Sequence, residues 1–193
     1  MGKEKYLKKI ESLFKKSPII SYSSIERIVK DSKKTEYTKQ LIRNMLLKGK
    51  IKRLTKGFYT THDNPQLSVF CFKPAYLGLQ DALSFHNCWE QETIPIIITT
   101  RKIRQGIRKI LDMNVLIRRI DKKYFFGFDY FEQDNLYFPY SDIEKTFIDM
   151  IYFKEKISDN TLENIKKRIN KKKFNNYLKK YPERIKKIIS GVI

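Results

Sequence analysis

Cysteine and histidine are scarce in this 193-residue chain: there are two of each, and Cys71 and Cys88 lie 17 positions apart with no CxxC pair. That spacing gives neither a disulfide framework nor a structural zinc site any support. Both cysteines read as small buried hydrophobes in a reducing compartment. Long apolar runs are lacking as well. The longest, Ile94 to Ile98, is interrupted by Pro95, and the opening MGKEKYLKKIE has no apolar stretch of the signal-peptide kind. The expected location is therefore cytoplasmic, with no membrane partner. Catalytic signatures are missing too, with no Gly-rich phosphate loop, no HExxH and no GxSxG. His86, on the apolar side of a predicted helix, reads as a satisfied core histidine. Asp142, Glu144 and Asp149 are close enough in sequence to raise a metal site, but nothing supplies a second cluster of ligands. The expectation is a protein that is not an enzyme, with no cofactor and no metal.

What is abundant is positive charge, and it is unevenly placed. Residues 1–62 hold 17 Lys and Arg against 5 Asp and Glu, residues 63–156 hold 13 against 13, and residues 157–193 hold 11 against 3. A lysine-rich composition spread evenly would signify only a solvated surface. Two basic ends around a neutral middle instead point to a polyanion for the ends and a different task for the centre. With 41% hydrophobic and 13% aromatic residues the chain has ample material for packed cores, so it is no disordered polybasic tail.

Residues 1–62 read as one small module. Tyr6, Ile10, Leu13 and Phe14 recur at helical spacing between lysines, and Pro18 stops that helix. Ser23 and Glu26 have capping-box spacing ahead of Ile25, Ile28 and Val29, which predicts a second, short helix. A polar connector, Asp31 to Thr35, leads to a third helix from Glu36, with Leu41, Ile42, Met45 and Leu46 as its buried stripe and Gly49 as its stop. The segment KIKRLTKGFYTT, residues 50–61, predicts a hairpin turning at Lys56-Gly57. Three helices and a basic hairpin are the plan of a winged helix-turn-helix, which sets its third helix in the major groove of duplex DNA. On that plan Tyr37, Thr38, Lys39, Gln40, Arg43 and Asn44 face the bases, with Arg suited to guanine and Gln or Asn to adenine. Lys50, Lys52, Arg53 and Lys56 would meet phosphates, which position a protein without reading sequence. The competing reading is a protein-binding module whose lysines are merely solvated.

Residues 63–193 read as a second, α+β domain with a basic helical end at 157–193. LGLQDALSFHNC predicts a helix beginning at Gly78; strands are expected over Ile94–Thr100, Val115–Ile120, Tyr124–Phe128 and Leu136–Phe138, and Arg101–Lys109 is a basic stretch. Ser141 and Glu144 repeat the capping-box spacing before Ile143, Phe147, Ile148, Met150 and Ile151. Beyond Ile157 the apolar residues keep helical spacing, so the end should pack. Its lysines extend a DNA contact or face an acidic protein.

The succession GKIKRLTKGFYTT, LGLQDALSFHN, IPIIITT and YSDIEKTFIDMIYF resembles the AbiEi-type antitoxins, the transcriptional regulators found beside nucleotidyltransferase toxins in abortive-infection and toxin–antitoxin loci. The likeness runs over roughly residues 5–155. It implies a winged helix that represses its own operon by binding the promoter, and a following domain that counteracts the toxin. Carried over by position, Gly57 and Tyr59 mark the hairpin, Ala82, Leu83 and His86 the first helix of the second domain, and Glu144, Lys145 and Asp149 the late helix. Gly78 departs from the serine common at that point, and the lysine-dense end replaces the longer helical region of many relatives. Two other classes stand beside this one, namely a nuclease targeted by a winged helix and a stand-alone transcription regulator.

Overall fold

The computed structural model describes residues 2–29 and 35–192. It is an α+β protein that divides into two compact units, one of residues 1–71 with 109–113 and the other of residues 72–108 with 114–193. The first unit thus extends past residue 62, the boundary expected from sequence, and takes in a second, separate segment. No helix among the described residues is long and apolar enough to cross a membrane.

In the first unit α1 (Gly2–Lys16) is followed by the two-residue strand β1 (Ile20–Ser21), α2 (Tyr22–Val29), α3 (Thr35–Leu47) and the strands β2 (Lys52–Thr55) and β3 (Phe58–Thr60). The strands form a sheet of order β1-β3-β2, antiparallel throughout. Ile10, Ile25, Val29, Leu41, Ile42, Met45, Ile51 and Tyr59 fill the core, so each helix delivers the stripe its periodicity announced. The cap of α2 differs from expectation. Ser21, at the end of β1, accepts a hydrogen bond from the Ser24 amide at 3.1 Å, so the cap sits two residues earlier than Ser23. The polar connector lies outside the described residues except for Thr35. Gly57 turns the hairpin at φ +82°, a conformation that favours glycine, and its carbonyl accepts the Tyr22 amide at 2.7 Å. That bond ties the turn to the start of α2.

The second unit is built on a six-stranded sheet of order β6-β7-β5-β4-β9-β8: β4 (Ala75–Leu77), β5 (Ile96–Thr99), β6 (Gly106–Ile110), β7 (Met113–Arg119), β8 (Phe128–Gln133) and β9 (Leu136–Ser141). Residues 109–113, the end of β6, the turn and the first residue of β7, count with the first unit. β4 and β5 are buried along their whole length, as continuous apolar strands in the middle of a sheet should be. Tyr124–Phe128, expected as a strand, is a short 3-10 turn and a loop. The left-handed Gly127, at φ +73°, breaks the extended course, and β8 begins only at Phe128. Three strands of this sheet went unforeseen: β4, β6 inside the stretch that reads as basic, and β8, of which only Phe128 fell in an expected strand.

Five helices complete this unit: α4 (Leu79–Phe85), α5 (Ile143–Tyr152), α6 (Asp159–Arg168), α7 (Lys171–Leu178) and α8 (Glu183–Ser190). Gly78 caps α4 through its backbone; a side-chain carbon there would lie 2.6 Å from Ile98 Cδ1, so the glycine makes room for a core isoleucine. The N-cap of α5 is Asp142, not Ser141. Asp142 Oδ1 accepts the Lys145 amide at 2.7 Å, while the Ser141 hydroxyl is buried against Thr146 Oγ1 at 2.7 Å. Phe147, Ile148 and Met150 of α5 share a core with Ile165, Phe174, Tyr181, Ile185 and Ile189, so the basic end packs, as its periodicity predicts.

Candidate nucleic-acid interface

The helical period of α3 decides which of its side chains reach solvent. Leu41, Ile42 and Met45 are in the core, leaving Glu36, Lys39, Gln40, Arg43 and Leu47 exposed on the opposite side at three- and four-residue intervals. Lys39, Gln40 and Arg43 are thus brought together on one stripe. Asn44 is half-buried at its margin, with Oδ1 accepting from Gln40 Nε2 at 3.4 Å. Thr38 does not belong with them: it is 1% exposed and stands one turn before Leu41 and Ile42 on the inward side, so it cannot meet a base from this position. Tyr37 is half-buried, its ring edge-on to Tyr6 at 6.2 Å, and serves the core at least as much as the surface.

The cations after α3 divide into free and engaged. Arg53 and Lys56 are exposed and form no ion pair among the described residues. Lys50, just after the helix, pairs with Glu11 of α1 at 2.9 Å, and Lys52 pairs with Asp63. Both pairs are solvent-accessible, of a kind that contributes about 0–1 kcal/mol, so a phosphate can displace the carboxylate at little cost. Lys52, Arg53 and Asp63 also line a groove of about 450 Å³ with Lys109, Leu111 and Asp112 of the same unit. Lys109 was hidden from sequence reasoning because it arrives from 46 positions beyond Asp63.

Leu47 is the other residue that pattern reading passed over. It is 76% exposed and follows Arg43 by one turn, and an apolar side chain there can contact the methyl group of thymine. Its signal was available, since the five apolar residues Leu41, Ile42, Met45, Leu46 and Leu47 cannot all share one stripe.

The acidic residues that raised a metal site are each committed elsewhere. Asp142 caps α5 and accepts from Tyr177 Oη at 2.9 Å and Lys173 Nζ at 3.0 Å; Glu144 accepts the Asn170 amide at 2.7 Å. Asp149 is fully buried between Lys145 Nζ and Tyr76 Oη, the latter at 2.7 Å. Burial pushes the Asp149 carboxyl up and the Lys145 ammonium down, while their mutual attraction opposes both shifts. Lys145 Nζ also lies over the rings of Phe126 at 5.3 Å, Tyr76 at 5.5 Å and Tyr181 at 5.9 Å. Among the described residues no group of three His, Cys, Asp or Glu side chains is placed to hold a metal ion. His86 is half-buried, with Nε2 at 2.8 Å from the Ser141 carbonyl and its ring edge-on to Phe85 and Phe131. Compared with known proteins, the chain matches no family model and no curated protein.

Proposed function

We propose that the protein is a DNA-binding transcriptional regulator whose first unit is a winged helix-turn-helix, and that it acts as an antitoxin of the AbiEi type, repressing its own operon and opposing a nucleotidyltransferase toxin. The observation that carries the DNA-binding part is the solvent stripe of α3, where Lys39, Gln40 and Arg43 stand clear of the core and two free cations, Arg53 and Lys56, follow on the hairpin. The order helix, strand, helix, helix, hairpin with a three-stranded antiparallel sheet agrees with such a module. Arg43 and Gln40 read base edges; Lys50, Lys52, Arg53 and Lys56 hold phosphates. The antitoxin part rests on the likeness of residues 77–87 and 140–153 to that family, and assigns the opposing role to the second unit.

Electrophoretic shifts of the full chain on a duplex from its own upstream region test the first part. Binding is expected at low salt and should weaken steeply, by about 10³-fold or more between 50 and 200 mM if six phosphates are met. Absence of any shift at low salt would remove the regulator reading. Co-expression with a neighbouring nucleotidyltransferase tests the second: the full chain should restore growth, and continued toxicity with the protein present in soluble form would sink the antitoxin role.

A further inference from the structure

The charge of the C-terminal helices is not consumed by their own packing. The apolar residues of α6 and α7 turn inward, with Ile165 unexposed and Phe174 5% exposed. On the outer side α7 presents Lys171, Lys172, Asn175 and Asn176, and Lys179 follows as its C-cap, all exposed. The corner between α6 and α7 is a groove of about 440 Å³ lined by Lys166, Ile169, Lys171, Phe174 and Asn175, so the two helices bring cations to one place at the rim of an apolar notch. Lys166 reaches Glu163 at 3.5 Å on its own helix; Lys171, Lys172 and Lys179 form no ion pair among the described residues.

The chemistry of this face selects its partner. Protein interfaces are enriched in exposed aromatic and apolar anchors and depleted in lysine; here Phe174 and Tyr181 are only 5% and 3% exposed and Ile169 is half-buried, so the exposed side chains of this face are lysines and amides. Strands of unpaired bases call for aromatic platforms, which are equally missing from the outer stripe. Lysine ammonium groups and asparagine amides suit phosphate oxygens, which need point charges and donors rather than a stacking surface. We infer that the α6–α7 corner is a second, sequence-independent contact with the backbone of duplex DNA, separate from the stripe of α3. The inference rests on the regulator reading given above.

The test uses the full chain with Lys171→Gln, Lys172→Gln and Lys179→Gln combined, a variant that touches only exposed side chains and should keep the wild-type circular dichroism and melting temperature. Its affinity should fall by the same factor on the upstream duplex and on a random one. The slope of log affinity against log salt should become shallower by about 0.9 for each lysine that meets a phosphate. An unchanged slope, on a duplex that the wild-type chain binds, overturns the inference while leaving the regulator reading intact. Failure of the wild-type chain to bind any duplex overturns both. If the variant keeps its DNA slope but loses affinity for poly-L-glutamate, the face serves an acidic protein and the inference falls.

Discussion

Lys39, Arg43, Arg53 and Lys56 of the first unit stand in solvent without an ion pair among the described residues, whereas Lys145 of the second has no exposed surface, touches Asp149 and is enclosed by three aromatic rings. The same kind of charge does opposite physical work in the two places. Outside, a cation remains hydrated until a partner arrives, and its removal should change binding with little effect on folding. Inside, the cost of desolvation has already been met by Asp149, Tyr76 and the rings, so deleting one member leaves the other uncompensated. The location of a charge thus separates the residues left available to a partner from those that hold α5 in place.

The sharpest challenge to this contrast is Lys145→Ala, which should destabilise the second unit by about 3–5 kcal/mol. Trp89, the chain's single tryptophan, lies in that unit, so its fluorescence during urea unfolding reports the loss. A midpoint equal to wild type would show that the pair is not the anchor described. Gly127→Ala comes next, at about 2–4 kcal/mol, because the residue is left-handed and an added carbon would lie 2.8 Å from Lys145 Cβ and 3.0 Å from Tyr177 Cε2. Thermal melts are expected to drop accordingly; full retention of stability would mean that the backbone relaxes there.

Arg43→Ala should leave unfolding unchanged and cost about 1–3 kcal/mol on the cognate duplex alone, while Lys56→Ala should weaken all duplexes alike. Competition shifts with specific and random DNA separate the two, and equal losses for both variants would take α3 out of the groove. The smallest effect is expected for Tyr177→Phe, about 1 kcal/mol at neutral pH, for the lost hydrogen bond to Asp142. Burial first, then Asp142, pushes the Tyr177 hydroxyl up to about 12 from its ordinary value near 10. A folded-state value above the unfolded one stabilises the protein fully below pH 10, and that contribution is lost as pH rises through 12. The variant should therefore lose less stability than wild type over that window, and parallel alkaline titrations of the two would refute the assignment.

Helix faces were largely legible in the sequence, because the apolar period of 3.6 survives from pattern to packed stripe in α1, α3 and α5. Caps were less so. In the run Ser21-Tyr22-Ser23-Ser24 any serine has the right chemistry, and the choice of Ser21 depends on where β1 ends, which is fixed by its pairing with β3. The same holds at Ser141, whose place in β9 hands the cap to Asp142. Thr38 continues the row of Leu41, Ile42 and Met45, a position that marks it as inward although its hydroxyl has the chemistry to reach a base. The parallel pairing of β4 with β9 and of β5 with β7 joins segments far apart in the chain, and no local pattern carries that register. The i,i+4 spacing of Lys145 and Asp149 was visible, but its burial depends on Tyr76 and Tyr181, which come from opposite ends of the second unit.

The segment 109–113 has a practical meaning for anyone dissecting this protein. The chain enters the first unit, leaves it after residue 71, returns for five residues and leaves again, so that unit is assembled from two separate stretches. No single cut releases it whole. A fragment ending at residue 62 or 71 lacks the five residues 109–113 that belong with the unit. Assigning each role to its own half is work for point substitutions in the uncut polypeptide.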